Sequence, residues 1–173
     1  MVSKRVVDYI VDQLVAQGVT HLFGVDGANI EDLYDAAHFG AVTAVLAKHE
    51  FGAATMADGF SRATSTLGVD AATSGGGSLN LVAGLGESFA SRVPVLALVG
   101  QPPSAMDGCG SFQDTSGVNG SLNAQALFSA ASVYCRRVLS AADVASALSD
   151  AIAAALAGGP AVLLLPKDVQ QSM

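Results

Sequence analysis

The stretch Lys48-His49-Glu50-Phe51-Gly52-Ala53-Ala54-Thr55-Met56-Ala57-Asp58-Gly59-Phe60 decides how this chain reads. It follows the apolar run Val42-Thr43-Ala44-Val45-Leu46, which reads as a buried strand, and it opens a helix rich in small residues. Glu50 falls where the strand gives way to the first helical turn. A carboxylate there meets the free N–H groups and the positive end of the helix dipole. An ordinary first-turn glutamate would stand in the same position, and the residue alone does not separate the two. Gly52, Ala53, Ala54 and Ala57 leave little side chain nearby. The helix is therefore expected to present a bare face to another chain or to a flat ligand.

The same strand–loop–helix step recurs on both sides of this stretch. Upstream, Val6, Val7, Ile10, Val11, Leu14 and Val15 share one face of a helix expected from about Ser3, its N-cap, to Gln17, with Gly18 as the stop. Val19 to Phe23 reads as a strand, Gly24 to Asn29 as a loop and Ile30 to His38 as a short helix. His21 is expected to pack at the strand start and His38 to cap a helix end.

Downstream, the strand Gly68–Ala72 runs into Thr73-Ser74-Gly75-Gly76-Gly77-Ser78-Leu79-Asn80 and a helix through about Ala90. No lysine follows the glycines, so the run is not a P-loop, and Asn80 stands where a dinucleotide fingerprint needs glycine. The glycines admit close backbone approach. Asn80, read as part of the first helical turn, either caps locally or lends a polar edge to a ligand. Val93 to Val99 reads as a buried strand, followed by an irregular segment from Ser104 to about Gly120, long enough to be functional. A helix over Ser121 to Ser132 and a strand over Val133 to Leu139 follow. A capping-box-like start at Ser140 to Asp143 then leads into an alanine-rich helix ending at Gly158, and Ala161 to Leu165 forms a last strand.

Five to six apolar strands alternating with helices predict an α/β fold: a doubly wound, mostly parallel sheet flanked by helices on both faces, as one domain over residues 1–173. The hydrophobic fraction is 51% and the charged fraction 13%, too apolar for a comfortable lone monomer, so a protein partner is expected. The net charge of −7 and the lack of basic clusters argue against nucleic acid. No apolar run is long enough for a membrane span, and no signal peptide follows Met1, so a cytoplasmic protein is expected. Cys109 and Cys135 lack metal-like spacing and are expected to be free thiols.

Four blocks, in order, resemble the pyrimidine-binding domain of thiamine-diphosphate enzymes, nearest the acetolactate synthase group. They are Lys48-His49-Glu50 with its small-residue helix, Ala72 to Leu81, Val93-Pro94-Val95 through Gln101, and Pro166-Lys167-Asp168-Val169-Gln170. Phe112-Gln113-Asp114 resembles the Phe-Gln-Glu of that group. The resemblance covers almost the whole chain and implies thiamine diphosphate as cofactor. In that family the cofactor's own 4′-amino group, as its imino tautomer, generates the reactive carbanion at C2. A carboxyl group hydrogen-bonded to N1′ of the pyrimidine favours this tautomer. The resemblance makes Glu50 that group, in a site expected to be apolar and dry. Cofactor contacts are implied for Val25, Asp26, Gly27, Thr73, Ser74, Gly75, Gly76 and Asn80. Ala28, Asn29, Phe112 and Gln113 are implied on the substrate side.

Two departures shape the expected chemistry. Asp26 stands where the family loop usually has proline, which predicts a less rigid, charged loop. Ala28 stands where pyruvate-decarboxylase-like relatives carry a protonating aspartate, which favours carboligase (transferase) or lyase chemistry over simple decarboxylation to an aldehyde. Gly76 also replaces a common proline. The Gly-Asp-Gly and downstream asparagine that hold Mg²⁺ and the diphosphate in the family do not occur here, so this chain is expected to hold no metal. The diphosphate-binding and central domains are then expected to be absent, and Mg²⁺ to be held by a partner chain in a heterodimer or heterotetramer. Met1 and the stop after Met173 favour such a split enzyme, acting on a 2-oxo acid such as pyruvate, over an excised domain. The alternatives are the α subunit of a sulfopyruvate- or phosphonopyruvate-type decarboxylase and a non-catalytic regulatory homologue. Retention of Glu50 argues against the last.

Overall fold

A computed structural model of the chain describes residues 4–173. In chain order the elements are α1 (Val6–Ala16), β1 (His21–Val25), α2 (Glu31–Phe39), β2 (Thr43–Leu46), α3 (Glu50–Thr64), β3 (Gly68–Ala72) and α4 (Gly76–Ser91). Then come β4 (Val95–Gln101), a 3₁₀ turn (Ser104–Met106), α5 (Ala124–Ala130), β5 (Tyr134–Arg137), α6 (Ala141–Leu156), β6 (Pro160–Pro166) and α7 (Lys167–Gln171). The strands form one open sheet in the order β2-β1-β3-β4-β6-β5, and every described pair is parallel. The expected α/β architecture is therefore present, with six strands, parallel throughout.

Alternation along the strands builds a core on each face. Val69, Ala71, Leu96, Leu98, Leu163 and Leu165 pack with α1, α2, α6 and α7. Ala72, Val95, Ala97, Val99, Val162 and Leu164 point the other way, toward α3, α4 and α5. Strand order reverses between β1 and β3, since β2 lies outside β1 while β4 lies beyond β3. In parallel sheets the crevice beyond the strand carboxyl ends at such a reversal is where ligands bind.

Several sequence expectations shift. The strands expected at Val19 and Val93 begin two residues later, for one reason. Val19 N–H donates to Leu14 O (3.0 Å) and Val93 N–H to Ser88 O (2.9 Å), closing the ends of α1 and α4 after left-handed Gly18 and Arg92. These valines belong to helix-closing turns, and Gly24 and Val25 belong to β1 instead of the loop. The run ending at Leu46 is not a buried strand. It is the sheet edge, and Leu46 is 70% exposed. Only a sheet edge lets so apolar a strand face solvent.

Other boundaries change by a few residues. Helix α1 starts after Arg5, whose backbone N–H donates to Asp8 (3.2 Å); Ser3 lies outside the described residues. Helix α5 starts late because Asn123 caps it, its side chain accepting from Ala126 N–H (2.9 Å). Strand β5 is shorter than expected at both ends. Ser140 does occupy the N-cap of α6, but its hydroxyl donates to Asp143 (2.7 Å) and no side-chain cap bond forms.

The small-residue face of α3 is corrected most. Ala53, Ala54 and Ala57 are fully buried within the chain. A Cβ at Gly84 of α4 would stand 2.6 Å from Ala54 Cβ, and one at Gly68 of β3 would stand 2.2 Å from Ala57 O. These residues let α3 approach α4 and the sheet closely, so they are no partner's interface. The apolar side chains that α3 and α4 expose are Phe51, Met56, Leu79 and Phe89. Cys109 and Cys135 are both free thiols, as expected. No helix among the described residues is long and apolar enough to cross a membrane.

Candidate active site

Glu50 is the first residue of α3. His49 caps that helix by accepting Phe51 N–H on Nδ1 (3.1 Å). The half-buried Glu50 carboxyl reaches the start of α4, where Asn80 Nδ2 donates to Oε2 (2.9 Å). A Cβ at Gly77 would stand 3.0 Å from Oε1 and 2.9 Å from Thr73 Cγ2. The glycine run thus clears space for a carboxylate, and two helices begin beside that carboxylate. Both helix ends favour its negative charge. Asn80 stands in the second turn of α4, not the first, and points at Glu50 instead of capping its own helix.

The loops after β1 and β3 are stitched together beside this group. Buried Asn29 donates its backbone N–H to Thr73 Oγ1 (3.2 Å) and its side-chain amide to Ser74 Oγ (2.8 Å). Gly27 packs where a Cβ would come within 2.8 Å of Thr73 Cβ. Gly75, at φ +65°, lies where a Cβ would come within 2.7 Å of Gln113 Cβ. Thr73 Oγ1 donates to Gln113 Oε1 (3.4 Å). Val25 ends β1 half-buried. Hydrogen bonds thus join Asn29, Thr73, Ser74 and Gln113, with Gly27 and Gly75 packed against them, while Glu50 and Asn80 form a second pair on the other side of Gly77.

The remaining predicted residues behave differently. Asp26 is exposed and accepts the N–H of Gly27 (2.7 Å), a local bond that restrains a loop expected to be loose. Gly76 is exposed, with open space around it. Ala28 is exposed, and its carbonyl accepts from Lys167 Nζ (2.8 Å). Phe112 is 74% exposed. Asp114 folds its own loop by accepting from Gly108 N–H and Ser116 N–H (2.8 Å each). Glu50 is half-buried and Asn80 exposed, so this chain by itself leaves that side of the carboxyl open to solvent.

Sequence reasoning missed three supports. Buried Gln170 donates to Asn29 O (2.8 Å) and Leu165 O (2.7 Å), tying the end of the chain under the β1 loop. Lys167 also pairs with Glu31, anchoring the same loop from outside. Both lie in a quoted motif that had no assigned task. The third is Tyr34, whose hydroxyl donates to Ala71 O (3.3 Å) in the space Gly24 leaves open. Burial, reinforced by the charges of Asp26, Asp70 and Glu50, holds the phenol proton on. Asp70, at the centre of β3, is fully buried with no hydrogen-bond partner among the described residues, and burial alone pushes its pKa up to about 8.

An open parallel α/β sheet with a carboxylate and a glycine cradle at its reversal point defines a ligand-binding domain of the doubly wound class. The family model described as thiamine pyrophosphate enzyme, N-terminal TPP binding domain, matches residues 4–120, and the chain belongs to that family. It is 36% identical over 164 residues to the acetolactate synthase isozyme 2 large subunit of Escherichia coli (strain K12), covering 94% of this chain and 29% of that protein. It is 35% identical over 163 residues to a probable acetolactate synthase large subunit of Methanocaldococcus jannaschii, covering 93% and 26%. Against an acetolactate synthase of Arthrospira platensis the identity is 41% over 109 residues, covering 61% and 19%. The chain thus spans less than a third of the length of these curated relatives.

The residues present fit the pyrimidine half of thiamine diphosphate. Glu50 presents a half-buried carboxyl beside Gly77 and Asn80. Gly27, Gly75 and Gly77 let Thr73, Gln113 and Glu50 pack closely around the loops, and Asn29 bonds to Thr73 and Ser74 to hold those loops in register. Among the described residues no group of three or more His, Cys, Asp or Glu is arranged to hold a metal.

Proposed function

We propose that this chain is the pyrimidine-holding part of a thiamine-diphosphate enzyme of the acetolactate synthase-like kind. Its substrate is a 2-oxo acid such as pyruvate, which is decarboxylated, and the resulting unit passes to an acceptor carbonyl. Thiamine diphosphate, when bound, supplies the carbanion centre that no amino-acid side chain can supply. Glu50 holds a proton at the pyrimidine ring nitrogen N1′. The Thr73–Gly75 and Asp26–Asn29 loops orient the ring, and Gln113 faces the substrate side. A second chain carries the diphosphate, Mg²⁺ and the remaining walls, and covers the open side of Glu50 to exclude water. The assembly works in the cytoplasm.

The observation that supports this reading best is the Glu50 carboxyl beside Gly77 and Asn80, at the start of two helices and beside the crevice where strand order reverses. Glu50→Gln keeps the shape but cannot hold the N1′ proton in the same way. In the assembled enzyme it is expected to slow C2 proton–deuterium exchange of the cofactor by about 10²- to 10⁴-fold, the span of general acid–base catalysis. Exchange at the wild-type rate in that variant would make Glu50 a structural residue and remove the basis of the assignment.

A further inference from the structure

Glu50 has two oxygens, and the fold treats them differently. Oε2 receives the Asn80 amide at 2.9 Å. Oε1 has no side-chain donor among the described residues and lies against the bare backbone of Gly77, where a Cβ would stand only 3.0 Å away. We propose that Asn80 is the positioning residue for Glu50: its amide fixes the carboxyl's rotation and occupies one oxygen, leaving the other to meet the pyrimidine nitrogen. This rests on the reading of Glu50 given above, and it gives Asn80 a task other than the cofactor contact that the family resemblance implies.

The chemistry of the donor supports this. A carboxyl group on an open helix start has free rotation about its last bond, which a bond to one oxygen removes. An amide N–H favours the charged carboxylate without adding charge and without itself gaining or losing a proton. No acidic residue stands in the first turn of α4 to compete for the amide. Asn80 is exposed, so its side chain is not needed to fill the core. Its bond to Glu50 spans 30 residues, from one helix to the next.

Two measurements test the role. The first uses the 173-residue chain without cofactor. The Asn80 side-chain amide signal in ¹⁵N NMR is expected to shift with pH in step with the Glu50 carboxyl carbon, and to lose that dependence in Glu50→Gln. An amide signal indifferent to Glu50→Gln overturns the proposal.

The second uses the assembled, cofactor-loaded enzyme and follows C2 proton–deuterium exchange across pH at saturating cofactor. Asn80→Ala is expected to be slower by about 10- to 100-fold at every pH, as for the loss of a hydrogen bond to a charged group. Asn80→Asp keeps the shape and, while it carries its proton, the donor. It also adds a carboxyl next to Glu50; the surrounding elements carry Asp58 and Arg62 on α3, Glu87 on α4, and Asp26, Tyr34, Lys48, His49 and Asp70 as titratable or charged groups. Its exchange rate is expected to approach wild type on the acid side and to fall on the alkaline side, where the added carboxyl ionises against Glu50. A purely structural role would move neither rate once the melting temperature is matched. Wild-type exchange in both variants, or an Asn80→Ala that loses only cofactor affinity, overturns the proposal. Wild-type exchange in Glu50→Gln removes the reading of Glu50 and this role together, even with the amide contact intact.

Discussion

Two carboxyl groups on neighbouring elements have opposite physics. Glu50 lies half-buried between two helix starts with the Asn80 amide donating to one oxygen. If complementing those helix starts were its whole task, Glu50→Gln would cost up to about 1 kcal/mol of stability and leave turnover alone. The functional reading expects the reverse: melting nearly unchanged and exchange lost. Asp70 sits fully buried in the middle of β3 with no donor among the described residues, and its pKa of about 8 lies well above the ordinary 3.8. Between those values the folded chain holds a proton that the unfolded chain releases. Stability therefore falls as pH rises from about 4 to 8, by up to about 1.4 kcal/mol per unit for this group, and levels off above. Asp70→Val, similar in size and suited to a central strand, is expected to raise the melting temperature at pH 8 and to flatten its dependence between pH 4 and 8. A variant whose melting tracks wild type across that range would mean that the carboxyl finds a partner in solution.

Helices α3 and α4 show what small residues are for. Ala54 against Gly84 sets how closely the two helices run, and their starts carry Glu50 and Asn80, so this packing sets the geometry of the candidate site. Ala54→Trp, which a partner-facing alanine would tolerate in the folded chain, is instead expected to destabilise it by about 1–3 kcal/mol or more through overpacking. Denaturant unfolding measures this, and an unchanged midpoint would contradict the packing. Met56 lies 43% exposed on α3, in the apolar set that includes Phe51 next to Glu50 and Leu79 next to Asn80. Met56→Glu is expected to leave the midpoint within about 0.5 kcal/mol, as surface changes usually do. It should weaken assembly with the second chain proposed above, read by sedimentation. Assembly at wild-type strength would move the interface elsewhere.

For the whole molecule, charge and openness point the same way. A chain of net charge −7 repels an anionic diphosphate, and its Glu50 site is uncovered on one side. The purified chain alone is expected to bind thiamine diphosphate only weakly, with no turnover. Calorimetry decides this: micromolar, Mg²⁺-dependent binding and turnover by the chain alone would end the split-enzyme proposal.

The alternation of apolar runs with helical periods was enough to predict the α/β class, the strand Gly68–Ala72 to the residue, and α3 opening at Glu50, because side-chain period and chain punctuation are local properties. Motif order singled out Glu50, Asn29, Thr73, Ser74, Gly75 and Asn80 as candidates, and the fold joins Asn29 to Thr73 and Ser74 and Asn80 to Glu50. Local pattern could not show which neighbours each element would have. Leu46 looked buried because it is apolar, yet sheet order left it on an edge. Ala54 looked like an interface because it is small, yet Gly84, thirty residues away, was waiting for it. Val19 and Val93 looked like strand and became helix-closing turns. The same holds for the bond from Asn80 to Glu50 and for the solitary burial of Asp70. A hydrogen bond or a desolvated charge depends on what arrives from distant segments, and those distances are set only when the layers pack.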